Sequence, residues 1–218
     1  MPSAPTIGDV LSEARAAGFL GPGPVEDHLR HAEGFATVAH RMLAETSSPR
    51  IVDLGSGGGL PGLAVASSWA EATLVLLEAN GRRAAFLRRA VGRLGLEERV
   101  SVLEARAEAA GRDPGHRARF DEVLARSFGR PAVVAECGSP LLRVGGWLVV
   151  SEPPSSPDGP ITLGTRDVRW PAEALAQFGL EPAGVWRDGA TYQVLRQAEI
   201  CPERFPRRDG VPAKRPLF

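Results

Sequence analysis

Residues 51–62 read Ile-Val-Asp-Leu-Gly-Ser-Gly-Gly-Gly-Leu-Pro-Gly, and the chemistry open to this run follows from Asp53 and the glycines behind it. Ile51 to Leu54 suits the end of a buried parallel strand, and Pro61 suits the first turn of a helix. Gly55, Gly57 and Gly59 let the backbone take positive φ and let a ligand lie against it. In a dinucleotide site such a turn holds a pyrophosphate on the helix N-terminus, where a carboxylate would repel it. An acid at the strand end instead suits a ligand with a cationic portion, and S-adenosylmethionine carries both an ammonium and a sulfonium. Gly57 to Gly62 also satisfies G-x-G-x-x-G, with Glu78 at the spacing of a ribose-binding acid. A nicotinamide or flavin nucleotide, or a glycine turn without ligand, are thus the alternatives. The register that starts at Asp53 and Gly55 favours adenosylmethionine.

Other reactive side chains carry less. His28 and His31 stand at i, i+3 beside Asp27, but no third ligand is in view and no metal is expected. Cys137 has apolar neighbours and reads as a buried small residue. With Cys201 it makes only two thiols, in no metal-ligand spacing. A reducing cytoplasm follows as the expected compartment. No apolar run approaches the length of a membrane span, and the N-terminus lacks a signal-peptide pattern. Basic and acidic residues balance at 26 each, so overall charge does not mark a nucleic-acid binder. Arginines nevertheless crowd residues 82–106 and the last 18 positions. Arginine offers phosphate a bidentate fork. All but one of the 26 basic residues are arginine, however, so its use at any single place proves little.

These residues need a frame. The 218 residues suit one α/β domain with small additions. Periodicity predicts helices over residues 6–20 and from Val25 to about Glu45, separated by Gly21-Pro22-Gly23-Pro24. Strands and helices then alternate. Strands are expected at 50–54, 73–78, 100–103, 120–125 and 147–150, and helices at about 62–68, 82–94 and 131–142. Gly145-Gly146 is expected to turn into the fifth strand. Such alternation gives a parallel sheet with right-handed crossovers, and ligands bind beyond its carboxyl ends. Asp53, Glu78, Ala107-Glu108 and Arg126 all follow strand ends. Residues 152–160 read as a loop rich in proline and serine. A short helix (172–178) and a hairpin-like pair near 183–188 and 191–197 add an antiparallel edge. From Glu199 the chain is an arginine- and proline-rich tail with no core of its own to build. The expected organisation is a helical extension (1–46), a catalytic domain (47–198) and a basic tail (199–218).

In these segments the chain resembles the ribosomal RNA small-subunit methyltransferase G family, also called glucose-inhibited division protein B. The resemblance lies in Val52–Gly62, in Leu77-Glu78 followed by Arg82-Arg83-x-x-Phe86-Leu87, and in Ala105-Arg106-Ala107-Glu108. It continues in Ala125-Arg126-Ser127-Phe128 and in the tail from Pro206 to Leu217. It implies a class I methyltransferase with a Rossmann-like, mostly parallel seven-stranded sheet. The cofactor would be S-adenosyl-L-methionine, and the reaction methylation of guanine N7 in 16S rRNA. Asp53, Gly55, Ser56, Gly57, Gly59, Leu60, Glu78, Ala107, Glu108 and Arg126 would then form the cofactor site. Arg126 would also face the transferred methyl group as the catalytic residue, and Arg106, Arg207, Arg208 and Lys214 would contact RNA. The partner is expected to be ribosomal RNA or the small subunit, with no membrane and no obligate protein partner. Cutting after Glu199 is expected to weaken RNA binding and spare the cofactor. Two departures stand out: Ser151-Glu152 replaces the family's lysine-glycine pair, and His28-Leu29-Arg30-His31 is all that remains of its N-terminal motifs. An acid at 152 would repel phosphate. The alternatives are therefore a class I methyltransferase acting on another RNA or a small molecule, or a non-catalytic RNA-binding protein.

Overall fold

The computed structural model describes residues 5–153 and 169–218. Two helices come first, α1 (Ile7–Ala16) and α2 (Val25–Met42). Thr6 and Asp9 cap α1 reciprocally, so its start follows from a local sequence signal. There follow β1 (Arg50–Leu54), α3 (Gly62–Ser68), β2 (Thr73–Glu78), α4 (Gly81–Arg93), β3 (Val100–Glu104), α5 (Ala107–Arg112) and β4 (Phe120–Ala125). Then come α6 (Pro131–Gly138), a 3-10 turn (Ser139–Leu141), β5 (Leu142–Ser151), α7 (Ala172–Ala176), β6 (Leu180–Asp188), β7 (Ala190–Gln197) and α8 (Val211–Lys214).

The seven strands form one sheet in the order β3-β2-β1-β4-β5-β7-β6. β1 to β5 pair in parallel, and β7 runs antiparallel between β5 and β6. The order reverses between β1 and β4, and a crevice opens there beyond the strand ends. β4 is buried along its whole length, as a central strand covered on both faces must be.

Two boundaries differ from expectation. β5 begins at Leu142 rather than Trp147, because a bulge absorbs Gly145-Gly146: Phe120 pairs with Leu142, but Glu122 pairs with Trp147. The helix expected to reach Leu142 ends at Gly138, where Pro140 follows and cannot supply a helical N–H. The expected loop at 152–160 lies, from residue 154 on, outside the described residues.

The two faces of the sheet carry different cores. Phe35, Val38 and Ala39 of α2 join Val10 and Ala14 of α1, Leu63 of α3 and Leu87 of α4 over Ile51, Leu74 and Leu124. The opposite face packs Ala110, Val134 and Cys137 against Val52, Val123 and Leu148, with Phe178 and Phe205 closing the layer. The N-terminal helices thus help to cover one face of the sheet.

The last residues also build structure, contrary to the expectation of a coreless tail. Phe205 is buried against Phe178, ring centroids 4.7 Å apart. Arg117 fastens the turn by donating to the carbonyls of Cys201 (2.7 Å), Pro202 (3.1 Å) and Phe205 (2.7 Å). Glu136, fully buried in α6, receives the Arg207 guanidinium through both oxygens (2.8 and 2.6 Å). A buried carboxylate requires such a partner, and only the folded-back chain supplies it.

Candidate functional site

The glycine loop is held from beneath. Gly55 and Ser56 both donate their backbone N–H to the Leu77 carbonyl (2.9 and 3.0 Å), and Gly59 donates to Ser56 (2.7 Å). Gly55, Gly57 and Gly59 take φ of 77°, 55° and 104°, which a side chain would resist. Asp53 is 1% exposed, and its Oδ2 accepts the N–H of Gly62 at the start of α3 (3.0 Å). Burial pushes its carboxyl up to about 7, only partly offset by that bond and by Arg126. This corrects the picture of Asp53 as a free charge at the mouth of the loop. Enclosed beneath the turn, it fixes the turn's shape.

Glu78, at the end of β2, receives Gly57 N–H on one oxygen (2.9 Å) and Asn80 N–H on the other (2.8 Å). Asn80 caps α4, accepting from Arg82 and Arg83 (3.0 and 3.2 Å). A cavity of about 220 Å³ opens beside Glu78, walled by Gly55, Leu77, Ala79, Ala105, Ala107 and Phe128, with Arg83 and Ser127 at its edge. Ser127 turns the chain with φ of 54°, and Phe128 packs so closely on Gly55 that a Cβ there would meet the ring at 2.7 Å.

Arg126, next to Ser127, is half-buried, and its Nη2 lies 2.6 Å from Nδ1 of His28. Burial lowers its guanidinium from the ordinary value, with Asp53 opposing. His31 lies nearby; burial first, then the electrostatic influence of Arg126 and the His28 ring, bring it down to about 4.

Several expected site residues lie elsewhere. The Leu60 side chain packs with Leu11, Val25, Ala32 and Ala64 beneath the N-terminal helices, so only its backbone could reach a ligand. The Glu108 carboxylate turns to Arg106 (2.9 Å) and to Gly210 N–H (2.8 Å). Burial pushes it up, but those partners outweigh burial and hold it below the ordinary value. Ala107 alone of that pair walls the cavity. Arg207 is turned inward to Glu136, which corrects the expectation that it reaches RNA. Arg208 and Lys214 are exposed, and Arg106 is half-exposed beside Asp209. Glu152 is paired with Arg169 (2.6 Å) and receives Trp170 Nε1–H (2.6 Å). Its charge is compensated and gives no reason to exclude phosphate. Phe128, Ala79, Ala105 and His28 had no assigned role; the Ser127-Phe128 pair beside Arg126 was the available signal. Among the described residues no three His, Cys, Asp or Glu side chains gather as a metal set. No helix among them is long and apolar enough to cross a membrane.

The profile of the family described as rRNA small subunit methyltransferase G matches residues 30–152. The chain belongs to that family. The ribosomal RNA small subunit methyltransferase G of Rubrobacter xylanophilus is 40% identical over 178 residues, covering 77% of this chain and 65% of that protein. That of Roseiflexus castenholzii is 36% identical over 169 residues, covering 78% and 71%. The chain therefore spans about two thirds of the length of these relatives. Among solved structures, an O-methyltransferase from Bacillus cereus in complex with SAH superposes with TM-score 0.58. It is 16% identical, with 86% of this chain and 89% of that chain covered. A SAM-dependent O-methyltransferase from Thermotoga maritima gives TM-score 0.58 at 15% identity, covering 88% and 72%. These share the fold. The match to the methyltransferase G family takes in Asp53, the glycine loop, Glu78 and Arg126, whereas His28 and the docked tail lie outside it.

Proposed function

We propose that this chain methylates N7 of a guanine in 16S rRNA, using S-adenosyl-L-methionine, in the cytoplasm. The observation that carries the reading is the meeting of glycine loop, Glu78 and Arg126 at the β1/β4 crevice in a chain of the methyltransferase G family.

The cavity fits the cofactor's adenosine. Leu77, Ala79, Ala105, Ala107 and Phe128 offer apolar walls to a purine. Each Glu78 oxygen has one backbone N–H and therefore keeps acceptor capacity for a ribose hydroxyl. Gly55 allows close approach of the backbone, and Asp53 keeps the loop in shape. When bound, adenosylmethionine supplies an electrophilic methyl group on a positively charged sulfur.

Guanine N7 already carries an exposed lone pair, so no residue has to remove a proton. The task left to the protein is orientation at near-attack distance. Arg126, as the catalytic residue, donates to guanine O6, which orients the base and leaves the N7 lone pair free to attack. The base must leave its stack in the folded RNA to arrive there. Arg106, Arg208 and Lys214 supply the phosphate contacts. The substrate is ribosomal RNA or the small subunit, and the site requires no protein partner.

Mapping N7-methylguanine in 16S rRNA from cells with and without the gene, and with an E78A copy, tests this. One modification should vanish on deletion and stay absent with E78A. An unchanged map overturns the reading.

A further inference from the structure

We propose that His28 is the positioning residue for Arg126, and that the segment from Phe19 to His28 is a wall of the active site. The inference rests on the reading of this site as a methyltransferase centre and deepens it.

The geometry fixes the tautomer of His28. Its Nε2 lies 3.1 Å from the carbonyl oxygen of Gly21 and 3.0 Å from that of Pro22, while Nδ1 lies 2.6 Å from Arg126 Nη2. Carbonyl oxygens only accept, and a guanidinium only donates. Nε2 therefore carries the proton and Nδ1 turns its lone pair to Arg126, the one neutral arrangement that satisfies all three contacts. The ring is anchored by the turn between α1 and α2, and it anchors the arginine in turn.

The choice of partner matters. Arg126 is half-buried, and among the described residues its side chain donates a hydrogen bond to His28 alone. Asp53 senses it through space, but the Asp53 carboxylate is engaged by Gly62. A neutral acceptor orients the guanidinium without cancelling its charge and leaves the other N–H groups of the fork open. A group that must present itself to a guanine edge needs both properties. A carboxylate in this position would supply orientation and take away the charge.

The same segment reaches the other side of the site. A Cβ on Gly58 would come within 2.8 Å of the Phe19 carbonyl oxygen, so this backbone lies directly on the glycine loop. The Phe19 ring meets Phe86 edge-on at 5.6 Å, with the Arg83 guanidinium 6.0 Å from its centroid. One excursion of chain, Phe19 to His28, thus spans from glycine loop to Arg126. His28 lies ahead of the residues that carry the family match, 30–152.

The test compares H28A, H28N, R126A and H28A/R126A in methylation of deproteinised small-subunit rRNA. In H28A kcat should fall by about 10- to 100-fold, with KM for the RNA changed less than about threefold, as expected when a reacting geometry loosens. Asparagine can offer its Oδ1 in place of Nδ1, and H28N should recover most of the loss. H28A should add nothing in the R126A background. Equal losses in H28A and H28N, or additive losses with R126A, overturn the positioning role. A 15N spectrum of histidine-labelled protein reads the geometry without activity. His28 Nδ1 should be unprotonated in the wild type and shift in R126A; a protonated Nδ1 overturns the inference. Wild-type protein that methylates neither the deproteinised rRNA nor the intact small subunit overturns the proposed function instead.

Discussion

Asp53 looks like a ligand-facing charge in sequence and is a loop fastener in the structure, and the two roles make opposite predictions. Its Oδ2 holds the Gly62 N–H at 3.0 Å beneath the glycine turn. A Cβ on Gly62 would lie 2.7 Å from that oxygen, so the close approach itself requires glycine. Asparagine keeps the acceptor and loses the charge; alanine loses both. Calorimetric titration with adenosylmethionine should find D53N within about threefold of wild type. D53A should be weaker by about 10- to 100-fold, the worth of one charge-assisted hydrogen bond. A D53N protein as weak as D53A would show that the charge itself is what the ligand needs.

The final segment acts as an element of the fold. Arg207 satisfies Glu136, Gly210 N–H satisfies Glu108, and Arg112 holds Asp209 at 2.5 Å. Removing one member of a buried ion pair leaves the other uncompensated, so R207A should cost about 3–5 kcal/mol in chemical unfolding. Replacing the orphaned acid in the double variant E136Q/R207A should recover most of it. Cutting after Glu199 should then destabilise the whole domain and remove adenosylmethionine binding with it. This reverses the sequence-based expectation that the cofactor site would be spared. Recovery by E136Q is the informative arm, since a segment that merely contacts RNA would show neither the loss nor its rescue.

Across the whole molecule, two buried acids push the response to pH in the same direction. Glu122 is fully buried in β4, and among the described residues neither of its oxygens has a hydrogen-bond partner. Burial, then the neighbouring Asp121 charge, raises its carboxyl well above 4.5. Asp53 moves in the same sense, from 3.8 up to about 7. An acid raised in the native state keeps a proton that the unfolded chain has released. Its contribution is complete below the unfolded value and is lost as pH rises through the window from about 4 to 7 and above. E122Q should therefore match wild type near pH 4 and exceed it by about 1–3 kcal/mol at pH 8, read from unfolding midpoints. A constant difference at all pH values would exclude a titrating Glu122. With 26 charges of each sign, the proposed contact with RNA has to come from local patches. R208A and K214A should each weaken RNA binding and flatten its dependence on log salt by about one unit, measured by filter binding.

The succession of strands and helices along the chain, the glycine loop and the acid at the end of β2 were legible because parallel βα units write them locally. An apolar run of fixed length precedes a glycine turn, and strand ends point to one rim. Helix positions were legible from periodicity, and the structure fixes the starts of α1 and α4 with caps at Thr6 and Asn80. What each charged side chain faces was not legible, because partners in the fold come from far along the chain. His28 meets Arg126 across 98 positions, Arg207 meets Glu136 across 71, and Gly210 meets Glu108 across 102. Sequence spacing has no knowledge of such pairs. Burial selects them, since a carboxyl taken out of water either meets a donor, as Glu136 and Glu108 do, or keeps its proton, as raised Glu122 does. The sequence alone therefore determined the framework of the adenosylmethionine fold, and only tertiary packing decided which of its charges remain free to act.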